Sequence, residues 1–291
     1  MSILIVASSE PRVGRSLIAA AIAYRIGRDG TPVSLARLAG DDSAAADAAT
    51  FASLEGIVSP GAPVAPEAIL SLGSNVVVEA SAGSVAALTD ALPGARVLVV
   101  GLASSPNIDA PKSALAGTIV TRVCAADVAT VTGRAGVLAV LPEDRVLAAP
   151  SVEDIAAALN GRWLAEGDNR NTIDRVMIGA VASDAASPYF GNRERTCIVT
   201  RYDKTDIQLA ALQTDIELLV LTGGGEPSPY LTDRVLGSRP DVAVLLASEG
   251  TVDAMRAIEG LYGGSRFDGA GKLNRAVALL DEANVPVTLG A

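Results

Sequence analysis

Short runs of aliphatic and β-branched residues alternate with alanine-rich stretches along the first part of the chain. The apolar runs are continuous, which is typical of strands that are buried on both faces of a parallel sheet. Residues 15–28 carry apolar side chains at helical spacing and predict a helix directly after the first strand. The predicted strands of this part are 3–7, 32–38, 75–79, 96–101, 118–123 and 137–141. The pattern indicates an α/β domain with right-handed crossovers.

A second alternation begins after the polar stretch at residues 166–172, which suits a linker. The predicted strands beyond it are 176–181, 196–200, 218–222, 242–247 and 285–289. The predicted helices are 206–213, 229–236, 252–261 and 271–283. The sequence therefore predicts two α/β domains, a parallel-sheet domain at 1–166 and a smaller one at 170–291.

Composition and charge narrow the classes of function. Aromatic residues make up only 3% of the 291 residues, which disfavours a stacking platform for single-stranded nucleic acid. The formal net charge of -10 argues against a non-specific binder of polyanions. We therefore expect no nucleic-acid partner.

The chain contains no histidine, which excludes Ser-His-Asp and Cys-His catalysis and most zinc sites. Its two cysteines, Cys124 and Cys197, are too few for a disulfide framework and predict small buried side chains. The amino terminus shows no basic region or cleavage pattern of a signal peptide, and no apolar run reaches the roughly 18 residues of a membrane helix. We expect a cytoplasmic protein without a membrane partner.

The segment between the first predicted strand and helix lies where a G-x-x-x-x-G-K-[ST] phosphate loop lies. Gly14 and Ser16 match this pattern, whereas Ser9 replaces the first glycine and Arg15 replaces the lysine. Amides and the dipole at a helix N-terminus attract phosphate, but the planar guanidinium differs from the point charge of lysine. The pattern favours nucleotide binding over efficient ATP turnover, and a turn that binds nothing is the alternative. The candidate binding residues are Val13, Gly14, Arg15, Ser16 and Leu17.

Several segments carry a resemblance to a known group. The run ILIVASSEPRVGRS at 3–16 resembles the start of the dethiobiotin synthetase and cobyrinic-acid amide synthetase group, and more closely the N-terminal domain of long-form phosphate acetyltransferases. The segment 141–151, LPEDRVLAAPS, resembles the group's I-P-E-D-R-x-L-x-x-P-S. The segment 117–123 resembles a strand that ends in Asn-Arg, and Thr121 stands where the Asn contacts the base. The resemblance implies ATP or ADP as a ligand, with Thr121 beside the base.

The resemblance also implies a magnesium site. In active members, a Glu at a strand end helps to hold the metal, and an acidic residue follows the second strand; here these positions are Glu79 and Asp41 or Asp42. Hard oxygen ligands suit magnesium, and the ends of parallel strands meet at one edge of a sheet. The expected ligands are thus Ser16, Asp41, Asp42 and Glu79. The alternatives are a solvated strand-end carboxylate for Glu79, a loop or N-cap for the Asp pair, and a structural ion pair for Arg145.

The segments 176–183, 197–212 and 219–224 resemble the DRTGG domain, which is named for an Asp-Arg-Thr and Gly-Gly signature. Thr205 or Asp206 is expected to cap a helix. Glycines after a strand let amides approach an anion. Asp203 is expected to pair with Lys204, which replaces the usual Arg, or to contact a polar ligand; turn chemistry and dimer contact without a ligand are the alternative. The candidate residues are Asp203, Lys204, Thr205, Asp206, Thr222, Gly223 and Gly224.

Together the two resemblances favour a nucleotide- or metabolite-binding regulatory protein that turns over little or no substrate and dimerises through the DRTGG domain. They imply a homodimer and a protein partner in acetyl or acyl-phosphate metabolism. In long-form phosphate acetyltransferases a catalytic domain follows such a pair; the 291 residues contain none, so acetyl transfer is not expected. The alternatives are an ATP-dependent ligase or amide synthetase, and a structural dimerisation protein that binds no ligand.

Overall fold

The computed structural model describes residues 2–104, 108, 110–167, 172–180, 189–190, 195–267 and 269–286, without the side chains of 234–237. The chain forms two compact units: Met1–Asp144 with Phe267–Ala291, and Arg145–Arg266. This division differs from the predicted domains 1–166 and 170–291 at both ends of the second unit.

The first unit is built on a six-stranded sheet in the order β2-β3-β1-β4-β5-β6, with every neighbouring pair parallel. Its strands are β1 Ser2–Ser8, β2 Ser34–Arg37, β3 Asn75–Ser81, β4 Arg96–Gly101, β5 Leu115–Val123 and β6 Val137–Pro142. All six predicted strands are present, and the α/β prediction is confirmed. Because β1 lies in the middle of the sheet, the loop that follows it opens at the centre of the sheet's carboxyl edge.

Helices join these strands and cover the sheet. The α-helices are α1 Arg15–Arg28, α2 Ala44–Ser53, α3 Val85–Ala91 and α4 Val128–Thr132, and short 3-10 turns lie at Pro66–Leu72, Ala82–Ser84 and Ala125–Asp127. Along α1, residues 17–23 are all buried, and most of them are alanine or isoleucine. Small side chains let α1 approach its neighbours closely. This packing fixes the position of the first turn of α1, which follows the loop after β1.

The C-terminal helix Ala270–Glu282 belongs to the first unit, although the sequence analysis assigned it to the second domain. It packs against α1. The buried Arg25 of α1 donates from Nε to Oδ1 of Asp281 over 2.8 Å and from Nη2 to the carbonyl oxygen of Val285 over 2.9 Å. The periodicity therefore predicted the position of this helix in the sequence correctly. The domain assignment differs because its contacts with α1, among them that of Asp281 with Arg25, place it in the first unit.

The second unit contains a five-stranded sheet in the order β7-β11-β10-β9-β8. Its strands are β7 Arg162–Ala165, β8 Arg175–Ile178, β9 Thr196–Arg201, β10 Leu218–Thr222 and β11 Ala243–Leu246. Its α-helices are α5 Arg145–Ala148, α6 Val152–Ala158, α7 Thr205–Leu212, α8 Pro229–Ser238 and α9 Thr251–Glu259. The strands β8 to β11 pair in parallel, and the α/β prediction for this part is confirmed.

The strand β7 was not predicted. It has only four residues, and it pairs antiparallel with β11 at one edge of the second sheet. Residues of α6, among them Val152 and Ile155, lie in the same apolar core as this sheet. These two contacts bring the residues from 145 onward into the second unit. The predicted strand 285–289 is not present at 285–286, and its residues 287–289 lie outside the described residues.

Two further predictions concern the cysteines and the membrane. Cys197 is fully buried in β9, and burial raises the pKa of its thiol. Cys124 is exposed, so the prediction that both cysteines are buried is wrong for this residue. None of the helices in the described part of the chain has the length and hydrophobicity that a membrane crossing requires.

Candidate functional site

The candidate phosphate loop joins β1 to α1 at the carboxyl edge of the first sheet. Gly14 precedes the helix with φ 86° and ψ 18°, a left-handed conformation that glycine adopts without steric cost. No side chain in the described residues caps α1. The helix has 14 residues, so its N-terminus carries the partial positive charge of the helix dipole. The side chain of Leu17 is buried, which leaves only its backbone as a possible ligand contact.

Thr121 lies close to this loop and fixes its backbone. Its hydroxyl donates to the carbonyl oxygen of Val13 over 2.8 Å, and both residues are buried. The end of β5 therefore holds the loop that follows β1. The contact with a base that the resemblance implies for Thr121 stays a prediction.

Arg15, which replaces the lysine of the loop pattern, turns its guanidinium towards the end of β3. Its Nε donates to Oε1 of Glu79 over 2.6 Å, and its Nη1 donates to the carbonyl oxygen of Ala80 over 3.2 Å. Its Nη2 lies 3.9 Å from Oδ2 of Asp41. The positive charge at the lysine position is thus already paired with carboxylates of the same unit.

Glu79 is the buried centre of this arrangement. The hydroxyl of Ser16 also donates to its Oε1, over 2.8 Å, and its Oε2 lies 3.6 Å from Nε of Arg37. Burial raises the pKa of Glu79, and the charges of Arg15 and Arg37 act in the opposite direction. The side chain is fully buried rather than a solvated strand-end carboxylate, so that alternative is wrong.

Arg37 is a member of the site that the sequence analysis missed. Its guanidinium is 1% exposed and donates from Nη2 to Oδ1 of Asp41 over 2.6 Å and from Nε to Oδ2 of Asp47 over 3.3 Å. Partial burial acts to raise the pKa of Asp41, but the hydrogen bonds and the charge of Arg37 outweigh it, so the pKa is lowered. An arginine at the end of a short buried strand was the signal in the sequence, because a buried guanidinium requires anionic partners.

The predicted magnesium ligands come together only in part. Ser16, Asp41 and Glu79 surround guanidinium groups, while Asp42 is exposed and makes no contact in this network. A dication at these carboxylates would lie beside two guanidinium charges, which repel it. In the described residues, no three His, Cys, Asp or Glu side chains form a group that suits a metal ion. The residues of this site therefore do not fit a magnesium ion.

A pocket of about 470 Å³ opens in front of the loop. This volume falls within the range of small-molecule sites. Its lining carries hydroxyl groups, the carboxylates of Glu10 and Asp41, and the guanidinium of Arg15. The lining residues are the loop residues 8–11, Arg15, Asp41, Ser43 and residues 81–83. A polar ligand that enters the pocket therefore meets Arg15 at the start of α1.

The segment LPEDRVLAAPS has structural roles. Asp144 pairs with Arg275 of the C-terminal helix over 2.7 Å. Ser151 caps α6 in a capping box with Asp154. Arg145 donates to the backbone carbonyl of Asp174, and its guanidinium lies 4.6 Å from the centre of the Tyr262 ring. These contacts of Arg145 are structural, but they are a backbone hydrogen bond and a cation–π contact rather than the ion pair of the alternative.

In the second unit, the predicted signature residues form turn contacts. Asp203 pairs with Arg201 over 2.9 Å, rather than with Lys204, and this pair holds the pKa of Asp203 below its usual value. The helix α7 begins at Thr205 after Lys204, with no side-chain cap. The prediction that Thr205 or Asp206 caps this helix is wrong, because the turn is closed by backbone hydrogen bonds instead.

The glycine run after β10 is also occupied by internal contacts. The amide of Gly223 donates to the carbonyl of Glu249 over 2.8 Å, and the amide of Gly224 donates to that of Ala247 over 3.1 Å. Both amides are therefore used by the loop after β11, and the approach of an anion to this run stays a prediction. The hydroxyl of Thr222 is buried and lies 2.8 Å from that of Thr251.

Packing explains why glycine is required in this run. A Cβ atom at Gly225 would overlap the ring of Tyr202, and Gly223 adopts φ 95°. The fully buried Gln208 donates from Nε2 to the carbonyls of Arg201 and Tyr202, over 2.8 and 2.9 Å. These contacts fit the alternative of turn chemistry for the signature. Neither Tyr202 nor Gln208 was predicted, because their roles depend on backbone groups distant from any motif.

A family model of the DRTGG domain matches residues 154–261. The chain contains a DRTGG domain. The match lies inside the second compact unit, Arg145–Arg266, and begins before residue 170, where the sequence analysis placed the start of the domain. Because the match begins at residue 154, it includes most of α6 and all of β7, which pack with the second sheet.

Among solved structures, the chain is similar to the CBS and DRTGG domains of the regulatory region of Clostridium perfringens pyrophosphatase complexed with activator, diadenosine tetraphosphate. The sequence identity is 18%, and the TM-score is 0.37. The match covers 44% of this chain and 56% of that chain, so it spans little more than half of the solved structure.

Proposed function

We propose that the chain is a regulatory protein that binds a nucleotide or a related phosphorylated metabolite in the pocket of its first unit, with little or no turnover. The observation that carries the proposal is the 2.6 Å contact between Nε of Arg15 and Oε1 of Glu79. It ties the residue at the lysine position of the loop to a buried carboxylate, beside a pocket that is large enough for a small ligand.

Weak turnover follows from the charges of the site. Catalysis of phosphoryl transfer relies on a mobile point charge and a metal ion that neutralise the developing negative charge on the transferred group. Here the cation is a guanidinium that Glu79 and the carbonyl of Ala80 hold in place, and the site does not fit magnesium. These features disfavour an ATP-dependent ligase or amide synthetase.

Binding is supported by the geometry of the loop and the pocket. The left-handed Gly14 leads directly into the uncapped first turn of α1, which is the arrangement that receives an anion in phosphate loops. Arg15 lines the pocket, and its side chain is 16% exposed, so an entering phosphate can contact the guanidinium without opening the core.

The DRTGG domain supports the regulatory and dimeric part of the proposal. Its signature residues are used in turns and packing, and in the described residues its edge strand β8 presents Ile178, which is 43% exposed. We propose that this domain pairs two copies of the chain. The resemblance of the first unit to long-form phosphate acetyltransferases points to a protein partner in acetyl or acyl-phosphate metabolism.

A melting-temperature screen of the full chain tests this function. The ligands are ADP, ATP, acetyl phosphate, coenzyme A and diadenosine tetraphosphate. A ligand at about 100 times its Kd stabilises the native state by about 2.7 kcal/mol. We expect at least one phosphorylated ligand to raise the melting temperature and ATP hydrolysis to stay at background.

The variant Arg15→Ala should lose this rise in melting temperature. Arg12→Ala is the matched control, since it removes an exposed arginine of the same loop. No rise with any of the ligands, or an equal rise in Arg15→Ala and wild type, contradicts the proposed site.

A further inference from the structure

We infer that the pocket binds its phosphate-bearing ligand in metal-free form, because Arg15 lines the pocket and the carboxylates of Glu79 and Asp41 are bound to Arg15 and Arg37. This inference rests on the proposed function and specifies the ligand class of the same site: a small phosphate-bearing anion such as free ADP or pyrophosphate. It concerns side chains of the first unit alone.

The first support is the pairing of charges. The guanidinium groups of Arg15 and Arg37 bind three carboxylates, and Glu79 contacts both groups. Asp41 and Asp47 complete the set around Arg37. The carboxylates of Glu79, Asp41 and Asp47 are thus all bound to guanidinium groups of the protein.

The second support is the set of donors on Glu79. Its Oε1 accepts hydrogen bonds from Nε of Arg15 and from the hydroxyl of Ser16, over 2.6 and 2.8 Å. A metal ion at this oxygen would have to displace both donors. The buried Oε2 accepts no hydrogen bond among the described residues and faces Nε of Arg37 at 3.6 Å. Neither oxygen is open to a hydrated dication.

The third support is the part of Arg15 that stays available. Its Nε and Nη1 have short contacts with Glu79 and Ala80, whereas in the described part of the chain the contact of its Nη2 is the 3.9 Å one with Asp41. Both Arg15 and Asp41 line the pocket. A phosphate oxygen that reaches Nη2 replaces this long contact and leaves the buried ion pair with Glu79 intact. Asp41 therefore competes with the ligand for Nη2.

The experiment is calorimetric titration of the full chain with ADP and with pyrophosphate, once in EDTA and once with millimolar magnesium. We expect each apparent Kd to be lower in EDTA than in magnesium, because magnesium complexes part of the ADP and pyrophosphate and leaves less of the free anion. Binding that requires magnesium overturns this inference but leaves the proposed function in place. The absence of binding under both conditions overturns both.

A pair of neighbouring variants tests the role of Nη2. Asp41→Asn removes the competing charge and should tighten the binding of ADP in EDTA by about threefold to tenfold. Asp42→Asn removes the same charge from the next residue, which is exposed and outside the network, and should leave the Kd unchanged. If the Kd of ADP changes equally in both variants, or does not change in Asp41→Asn, the assignment of the phosphate contact to Nη2 of Arg15 is overturned. The wild-type comparison in EDTA and magnesium decides the main inference even where a variant does not fold.

Discussion

Single residues of the first site show which parts of its chemistry the sequence reveals. Ser16, Asp41 and Glu79 were predicted to meet because they follow strands whose carboxyl ends share one edge of the sheet, and the structure brings them together. The pairing of these carboxylates with guanidinium groups was not predicted. A pattern of residue types places side chains along the chain, but it does not show that Arg15 and Arg37 turn inward to neutralise those carboxylates.

The ion pair of Asp41 with Arg37 gives a prediction for stability. Asp41→Asn should lower the free energy of unfolding at neutral pH by about 1 kcal/mol, because a charge-assisted hydrogen bond to a buried guanidinium is lost and the partly exposed carboxylate is screened by solvent. Urea denaturation of wild type and variant measures this difference.

The pH dependence of that difference has a definite sign. The pKa of Asp41 in the folded protein is below its usual value of 3.8. The stabilisation by its ionised form is therefore complete above the unfolded value and is lost as the pH falls through the lower folded value. The difference between wild type and Asp41→Asn should be constant above about pH 5 and shrink below about pH 4. A difference that grows on acidification contradicts the assignment.

At the scale of elements, periodicity predicted where helices and strands lie better than where they pack. The helix at 271–283 was predicted within a residue of its observed bounds, but it packs on α1 of the first unit. The side chains that decide this are Arg25 and Asp281, which lie 256 residues apart. A local pattern carries no information about a partner at that distance. The short strand β7 was missed because four residues give too little periodicity.

The docking of the C-terminal helix gives a prediction that a double-mutant cycle measures. Arg25 is almost fully buried, and its ion pair with Asp281 spans 2.8 Å. We expect Arg25→Ala and Asp281→Ala to show a coupling free energy of about 1 kcal/mol in urea denaturation.

The exposed pair Arg256 and Asp253 in α9 serves as the control for this cycle. Its two partners are well exposed, and we expect no measurable coupling between them. A coupling of similar size in both cycles would show that the contact of Arg25 with Asp281 does not secure the C-terminal helix.

At the scale of the whole molecule, the alternation of strands and helices was sufficient to predict two α/β parts, and the DRTGG resemblance is confirmed by the family match at 154–261. The boundaries were not predictable from the polar stretch at 166–172. The compact units divide at Asp144 and again at Phe267, since α6 and β7 pack with the second sheet and the C-terminal helix returns to the first unit.

Dimerisation through the second unit predicts the mass of the particle in solution. Sedimentation of the full chain should give twice the chain mass of 29.4 kDa. In the described residues β8 is an edge strand, and an exposed apolar side chain on such a strand favours pairing with another chain. Ile178→Lys should therefore weaken the dimer by about tenfold in Kd.

Val58→Lys is the matched control for the dimer. It adds the same charge at an exposed valine of the first unit and should leave the mass at twice that of the chain. A monomer in the wild type contradicts dimerisation, and equal weakening by both substitutions contradicts its assignment to β8.

The most direct test of the account is a crystal structure of the full chain grown with ADP in the absence of magnesium. We predict a phosphate of ADP in the pocket at the first turn of α1, with an oxygen within hydrogen-bond distance of Nη2 of Arg15 and with the contact between Arg15 and Glu79 retained. A pocket without nucleotide at a saturating concentration of ADP, or ADP bound only through a metal ion on Glu79, would contradict it.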